Sequence, residues 1–300
     1  MKSILVTGGL GFIGSHLLEK FDNLNYRTFV MDNFAANPQY KPSKKVKFFR
    51  QDISQPQVID LVVKLKPQVI IHLAADNRVT STQAEALKSN VIGTFNLLSA
   101  GKKAGIKQFI FSSSAAVYGD PEKLPIKETH PTRPISAYGL SKLTGELYCH
   151  QYQSDFKTSI FRFSNVYGPR QNSGSEGGIV AILIDKLLKK EKPIIYGGGQ
   201  QTRDFVFVSD IVDAMILALN QPQSFILNLG SNQSTKIITL FKTISRLMKA
   251  KPEFIKKPFR LMEIKHSLFD YSKAKQTLSW QPKTKLTDGL YETINYFTSL

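Results

Sequence analysis

A tyrosine and a lysine four positions apart, Tyr138 and Lys142, are the residues of this chain best suited to removing a proton from an alcohol. In a helix, residues four apart share one face, so both side chains can approach the same atom. A lysine ammonium close to a phenol favours the phenolate, and we expect it to lower the pKa of Tyr138 towards neutrality. The same chain opens with a glycine-rich segment, residues 8–14. Together these features predict oxidation of an alcohol by a nicotinamide cofactor.

The glycine-rich segment has the spacing of a dinucleotide-binding turn. Gly8, Gly11 and Gly14 follow a predicted strand and open a predicted helix, whose N-terminus favours the charge of a pyrophosphate. Asp32 lies at the end of the second predicted strand, 18 positions after Gly14, where a carboxylate can accept the hydroxyls of the adenosine ribose. No arginine follows Asp32 directly to hold a 2′-phosphate, so the sequence predicts NAD and not NADP.

Alternating strands and helices must position these residues. Several of the predicted strands are apolar nearly throughout, which is typical of parallel strands buried on both faces. The predicted strands are 3–7, 28–31, 46–49, 68–72, 108–112 and 159–163, and the predicted helices are 12–22, 55–66, 84–101 and 137–155. The alternation predicts an α/β fold with a doubly wound parallel sheet of the Rossmann type.

The pattern changes after about residue 165, where glycine-rich turns flank a helix predicted near 179–190. We therefore predict an NAD-binding domain over residues 1–165 and a smaller α/β C-terminal lobe over residues 166–300 that binds the substrate. Residues 200–222 are expected to cross back to the first domain, with a strand at 205–208 returning to the main sheet.

Composition restricts the classes of function. The 300 residues include 42% hydrophobic and 21% charged side chains, as in globular domains, and no apolar run is long enough for a transmembrane segment. Cys149 is the only cysteine, and the five histidines lack metal-ligand spacing, so we expect a cytoplasmic protein without a metal. The lysines behind the net charge of +17 are spread over several patches, 41–50, 186–192 and 249–257, each near a predicted loop or helix end, which favours a solvated basic surface over nucleic-acid binding.

Nine segments resemble motifs of the extended short-chain dehydrogenase/reductase family, and within it the nucleotide-sugar epimerases. They follow the family's order over nearly the whole chain: 7–14, 52–53, 72–75, 90–94, 111–119, 138–142, 165–170, 201–204 and 260–264. The resemblance implies NAD as the cofactor, a UDP-sugar as the substrate, and a homodimer formed through the helices near 84–101 and 137–155. Candidate dimer contacts are Leu97, Ala100, Leu140 and Leu147, although burial against the protein's own sheet explains such residues equally well.

The resemblance also implies roles for individual residues. Tyr138 would remove the proton from the sugar 4-hydroxyl, Lys142 would hold the nicotinamide ribose, and Ser114 would orient the sugar oxygen. The implied cofactor-binding residues are Gly8, Gly11, Phe12, Ile13, Gly14, Asp32, Asn33, Asp52, Ile53, Leu73, Ala74, Ala75, Asn90, Ser112, Tyr138, Lys142 and Phe163. The implied substrate-binding residues are Ser113, Ser114, Asn165, Arg203, Arg260, Glu263 and Ser267.

The residues after the serine strand separate the reactions within the family. Dehydratases and decarboxylases place an acid shortly after the catalytic hydroxyl, whereas this chain has Ala115 and Ala116 there. This favours C4 epimerisation, with 4,6-dehydration or decarboxylation as the alternative. Ser267 is small at a position that restricts the sugar C2 substituent, so UDP-GlcNAc/UDP-GalNAc and/or UDP-Glc/UDP-Gal are expected substrates. Arg78 is charged where relatives usually have small or neutral residues, and it is a candidate contact for an unusual substrate group, although a solvent-facing side chain explains the charge equally well.

An alternative of another class is a non-catalytic, dinucleotide-sensing or RNA-binding relative that kept the fold. The charge of +17 is its only support. Such a protein needs neither Tyr138 nor Lys142, so the presence of both argues against it.

Overall fold

The computed structural model describes residues 1–35, 40–77, 82–174, 178–259 and 264–300. Its strands are β1 (Lys2–Thr7), β2 (Tyr26–Asp32), β3 (Lys47–Arg50), β4 (Val69–His72), β5 (Gln108–Ser114), β6 (Lys157–Phe163), β7 (Asn165–Tyr167), β8 (Ile194–Tyr196), β9 (Thr202–Phe207), β10 (Phe225–Leu229), β11 (Ser234–Lys236) and β12 (Ile255–Lys257). Its α-helices are α1 (Phe12–Asp22), α2 (Gln57–Leu65), α3 (Gln83–Ala86), α4 (Gly93–Ala104), α5 (Ala137–Gln151), α6 (Ile179–Leu188), α7 (Val208–Ala218), α8 (Ile237–Leu247), α9 (Ser272–Leu278) and α10 (Leu286–Thr298).

A seven-stranded parallel sheet with the order β10-β6-β5-β4-β1-β2-β3 forms the centre of the protein. Its central strands are buried because helices cover both faces. Leu17 of α1 and Met215 of α7 pack on one face, and Val62 of α2 and Leu97 of α4 pack on the other. The predicted doubly wound parallel sheet is confirmed. In the described part of the chain, no helix has the length and apolar character needed to cross a membrane.

The predicted helix over 84–101 is interrupted. A short α3 is followed by a π-helical stretch, Leu87–Ile92, before α4 continues the helix. Thr82 and Glu85 form a reciprocal capping box at the start of α3. Single π-helical turns inside helices often occur at functional sites, and this one lies beside α5.

A smaller group of elements follows β6. β7, β9 and β11 form a three-stranded sheet, β8 and β12 form a two-stranded sheet, and α6, α8 and α10 pack around them. The prediction that a strand at 205–208 returns to the main sheet was wrong. Phe205 and Phe207 of β9 pack in the core of this second group, next to Tyr167, so β9 stays there. The chain instead crosses back through α7, and β10 joins the main sheet beside β6.

Candidate active site

A cleft of about 350 Å³ lies at the carboxyl ends of the main-sheet strands. Loops at this edge converge because parallel strands all end there, and ligands of open α/β sheets bind at this position. Every residue that the sequence predicts to bind the cofactor, except Asn90, lines this cleft. The glycine turn, Tyr138 and Lys142 all line this one cleft.

The glycine turn packs so closely against neighbouring backbone that two of its glycines have no space for a Cβ. Gly8 has a φ of +68°, and a Cβ there would lie 2.6 Å from the backbone nitrogen of Ala74. A Cβ on Gly14 would lie 2.4 Å from the carbonyl oxygen of Gly8. The turn therefore packs directly against the first residues of α1 and the loop after β4, and it brings the N-terminus of α1 to the cleft. This geometry fits the pyrophosphate of NAD.

Asp32 is fixed at the end of β2, where it faces the cleft. Its Oδ2 accepts a hydrogen bond from the Leu10 amide at 3.0 Å, and its Oδ1 accepts one from the Phe34 amide at 2.9 Å. Each carboxylate oxygen keeps a further lone pair for a ribose hydroxyl. Gln171 also lines the cleft, and its buried Oε1 has no hydrogen-bond partner among the described residues, which leaves an acceptor for a ligand. The residues present fit NAD.

Tyr138, Lys142 and Ser114 come together where α5 crosses the end of β5. Ser136 caps α5 by accepting a hydrogen bond from the Gly139 amide at 3.0 Å, so Tyr138 lies in the first turn. The hydroxyls of Tyr138 and Ser114 are hydrogen-bonded. One turn further along α5, Lys142 Nζ donates to the Ser112 carbonyl at 2.8 Å and lies 5.8 Å from the centroid of the Tyr138 ring.

The protonation of this cluster differs from the sequence prediction. Burial raises the pKa of Tyr138 above its usual value; the hydrogen bond with Ser114 lowers it, and the charge of Asp76 raises it further. The expectation that Lys142 brings the pKa of Tyr138 down was therefore wrong in direction, because desolvation of the phenolate dominates. Burial also lowers the pKa of Lys142 to about 8, partly offset by Cys149 and Glu146. Lys142 is thus largely a cation at neutral pH.

The three serines at the end of β5 have different partners. Ser112 Oγ donates to the His72 carbonyl at 2.8 Å, and Ser113 Oγ donates to the buried carboxylate of Glu146. Ser112 and Ser113 line the cleft, whereas Ser114 lies beside it and contacts Tyr138. Ser114 is therefore the hydroxyl of the three that is paired with the candidate base.

Asn90 lies behind the wall of the cleft, in the π-helical stretch. Its Nδ2 donates to the Asp76 carbonyl at 2.8 Å and to Ser141 Oγ at 2.9 Å, while its Oδ1 accepts from the Asp76 amide at 2.8 Å. These bonds tie the loop after β4 to α5. Asp76, Asn77, Ser89 and Asn172, which the sequence analysis did not assign to the cofactor, line the cleft instead of Asn90. The sequence signal that could have identified them is that they lie close to the motif segments 72–75, 90–94 and 165–170.

The predicted substrate residues outside β5 lie in the second group of elements. Asn165 of β7 pairs with Phe205 of β9, and the Ser267 amide donates to the carbonyl of Thr202, the neighbour of Arg203. Asn165 and Arg203 therefore belong to the adjacent strands β7 and β9, and Ser267 lies beside β9, but these three predicted residues do not line the cleft. Asp204, which follows Arg203 on β9, accepts hydrogen bonds from Ser231, Asn232 and Phe269. Arg78, Arg260 and Glu263 lie outside the described residues.

Known proteins resemble this chain over its whole length. The profile of the NAD dependent epimerase/dehydratase family matches residues 4–230. A putative UDP-glucose 4-epimerase of Methanocaldococcus jannaschii is 38% identical over 98% of this chain and 97% of its own. UDP-glucuronic acid decarboxylase 1 of Xenopus tropicalis is 31% identical over 99% of this chain and 72% of its own.

Two solved structures superpose closely on this fold. The UDP-glucose 4-epimerase of Thermotoga maritima with UDP-glucose has a TM-score of 0.95 and 36% identity, with 99% of each chain covered. The UDP-N-acetylglucosamine 4-epimerase of Methanobrevibacter ruminantium in complex with UDP-N-acetylmuramic acid has a TM-score of 0.92 and 31% identity, over 99% of this chain and 98% of its own.

Proposed function

Since this chain belongs to the NAD dependent epimerase/dehydratase family, we propose that it interconverts the C4 epimers of a UDP-sugar through a transient 4-keto sugar. The observation that carries the proposal is the position of Tyr138, which is hydrogen-bonded to Ser114 and lines one cleft together with the glycine turn. The expected substrates are UDP-GlcNAc/UDP-GalNAc and/or UDP-Glc/UDP-Gal, in keeping with the sugars named for the similar structures.

The reaction requires a base at the sugar 4-hydroxyl and a redox group at C4. NAD, when bound, supplies the acceptor and donor of hydride, and its nicotinamide adds a positive charge that favours the Tyr138 phenolate. Tyr138 would take the hydroxyl proton in one half of the reaction and return it in the other. Ser114, bonded to Tyr138, would orient the sugar oxygen, and Lys142 would hold the nicotinamide ribose.

The alternative reactions need an acid at a position where this chain has alanine. Elimination or decarboxylation would call for an acid just after the catalytic hydroxyl, and a short 3₁₀ turn, Ala115–Val117, occupies that position. Its side chains are apolar. The described geometry therefore favours oxidation and re-reduction at one carbon, even though a decarboxylase is among the relatives.

We propose further that two copies of the chain form a homodimer through an apolar helix patch. The patch consists of Leu87, Ile92, Phe95, Leu140 and Leu147, each between 42% and 61% exposed. Contiguous exposed apolar side chains on adjacent helices favour association. Of the dimer contacts suggested by the sequence, Leu140 and Leu147 belong to it, whereas Leu97 and Ala100 are fully buried in the protein's own core. Light scattering should give a dimer for the wild type and a monomer for Leu147→Asp, whereas Leu217→Asp on α7 should remain dimeric.

NMR of the purified protein with UDP-Glc, UDP-GlcNAc, UDP-GlcA and the matching dTDP-sugars tests the reaction. A new C4-epimer signal should form, and Tyr138→Phe should lower its rate by about 10²–10⁴-fold. Tyr152→Phe, at the other end of α5, is the matched control and should retain activity. Carbon dioxide release or a 4-keto-6-deoxy product would contradict epimerisation, whereas salt-sensitive RNA binding that survives Tyr138→Phe would support the non-catalytic alternative. A cytoplasmic location remains a prediction.

A further inference from the structure

Arg170 joins two distant parts of the chain beside the cleft. Its Nη2 donates to His16 Nδ1 at 2.8 Å and to the carboxylate of Glu19, both on α1. Its guanidinium also lies 5.1 Å from the centroid of the Tyr40 ring. The side chain is only 17% exposed. We call these residues, Arg170, His16 and Glu19, the arginine clasp.

The hydrogen bonds of His16 define its tautomer. An arginine has donors only, so the Nδ1 that Arg170 contacts must be an acceptor without a proton. The proton therefore lies on Nε2, which donates to the Pro169 carbonyl at 2.8 Å. Burial lowers the pKa of His16 to about 4, so the ring stays neutral and keeps both bonds at neutral pH. A neutral histidine thus connects α1 to both Pro169 and Arg170.

The clasp holds an unfavourable backbone conformation in place. Arg170 has a φ of +66°, a region that residues other than glycine seldom adopt. Such residues persist where surrounding contacts over-determine them, and they cluster at functional sites. Here the contacts are the hydrogen bonds to α1 and the packing on Tyr40. The conformation at Arg170 sets the direction in which the chain continues to Gln171 and Asn172.

Both sides of the clasp line the cleft. Phe12 and Gly14, which precede His16 on α1, line it. Gln171 and Asn172, which follow Arg170 directly, also line it. The clasp therefore fastens the segment after Arg170 to α1 beside the cleft. His16 also packs edge-to-face against Phe12, which lines the cleft, with 5.9 Å between the ring centroids.

We propose that the arginine clasp sets the rate at which NAD leaves the protein. The inference rests on the proposed function, in which each turnover oxidises and then re-reduces the sugar, so no cofactor exchange is required. A protein of this kind gains from holding its cofactor through many turnovers. Arg170, His16 and Glu19 are positioning residues, because they act through Gln171, Asn172 and α1.

The test is the dissociation rate of NAD, measured by trapping the released cofactor from purified holoprotein. Arg170→Ala should release NAD about tenfold faster, as expected for the loss of charge-assisted hydrogen bonds. Lys20→Ala is the matched control, because it removes another ion pair of α1, the 3.6 Å contact with Asp213, away from the cleft. Its release rate should equal that of the wild type.

Glu19→Gln keeps Arg170 and removes one charge from a residue whose side chain is 62% exposed, so it tests the clasp with little risk to folding. Release should again be faster than in the wild type. Rates within twofold of the wild type in both Arg170→Ala and Glu19→Gln would overturn the proposal. A wild-type protein that binds no NAD would instead refute the proposed function, which separates the two failures.

Discussion

Ser114 and Tyr138, which come from different elements, share a hydrogen bond between their hydroxyls at the end of β5. The bond stabilises the phenolate form of Tyr138, against the larger effect of burial. The serine therefore affects how readily the tyrosine loses its proton, in addition to the role proposed for it at the sugar oxygen.

Replacing Ser114 by alanine should shift the pH dependence of the reaction. Without the hydrogen bond, the pKa of Tyr138 rises further, so the rising limb of kcat against pH should move to higher pH. The rate at neutral pH should fall by about 10²-fold. Ser112→Ala is the control, since Ser112 donates to the His72 carbonyl, and its profile should keep the wild-type limb.

Asp76→Asn should move the same limb in the opposite direction. The Asp76 charge raises the pKa of Tyr138, so an uncharged amide should let the phenolate form at lower pH. The measurement is again kcat against pH. Equal limbs in Ser114→Ala, Asp76→Asn and the wild type would mean that Tyr138 is not the group that titrates.

The sequence was sufficient to predict the cofactor side of the cleft, but not its electrostatics. Gly8, Gly14 and Asp32 are recognisable because strand–turn–helix geometry restricts residue type locally. The raised pKa of Tyr138 was not predictable, because desolvation depends on what α5 packs against. Asn90 shows the same limit: its motif suggested cofactor contact, but the π-helical stretch turns it towards Asp76 and Ser141. The pairing of β9 with β7 was likewise not predictable, because it depends on how Phe205 and Phe207 pack against Tyr167, which is distant in sequence.

Gly14→Ala should remove the bound cofactor. The added Cβ would lie 2.4 Å from the Gly8 carbonyl and 2.7 Å from Gly9 Cα, and backbone atoms cannot move aside without opening the turn. NAD content after purification should fall well below one per chain. Gly101→Ala is the control, because the atoms nearest to its Cβ belong to the side chains of Ile106 and Ile70 and not to backbone. Gly101→Ala should keep its NAD, and retention of NAD by Gly14→Ala would contradict the binding mode.

Stability should fall as the pH drops below about 6.5, because His72 is buried in neutral form. Its Nδ1 accepts from Thr7 Oγ1 at 2.8 Å, and its Nε2 donates to Thr94 Oγ1 at 2.9 Å, since Thr94 itself donates to the Asn90 carbonyl. Burial, with a contribution from Lys142, lowers the pKa of His72 to about 3. Between these two pH values, His72 therefore binds a proton in the unfolded chain but not in the folded chain.

The linkage gives the size of this effect. Stability is fully present above the unfolded pKa and is lost as the pH falls towards about 3, at about 1.4 kcal/mol per pH unit. Urea unfolding at pH 7 and pH 4.5 should therefore differ by about 3 kcal/mol from His72 alone. His72→Gln should be less stable at pH 7 but show a smaller pH slope. His150→Gln, which alters an exposed residue, should keep the wild-type slope.

Glu146 forms a buried ion pair with Arg162 beneath the candidate base. Loss of this pair should lower the free energy of unfolding more than loss of any surface ion pair. Arg162 Nη2 lies 2.6 Å from Glu146 Oε2, and both side chains are at most 6% exposed. Glu146 also accepts from Ser113, and Arg162 donates to Tyr118, so the pair joins α5 to β5 and β6. Glu146→Gln leaves the Arg162 charge buried without its counter-ion, which should lower the free energy of unfolding by about 3–5 kcal/mol.

The exposed pair of Arg133 and Glu122 separates the effect of burial from that of charge. Its side chains are 73% and 59% exposed, so solvent screens the attraction between them. Glu122→Gln should therefore lower the free energy of unfolding by less than about 1 kcal/mol. Urea unfolding of Glu146→Gln and Glu122→Gln compares their free energies of unfolding. In addition, because Glu146 raises the pKa of Lys142, Glu146→Gln should lower the pH at which Lys142 loses its charge. Equal stabilities for the two variants would mean that Arg162 finds another partner and that the pair does not hold α5 against β6.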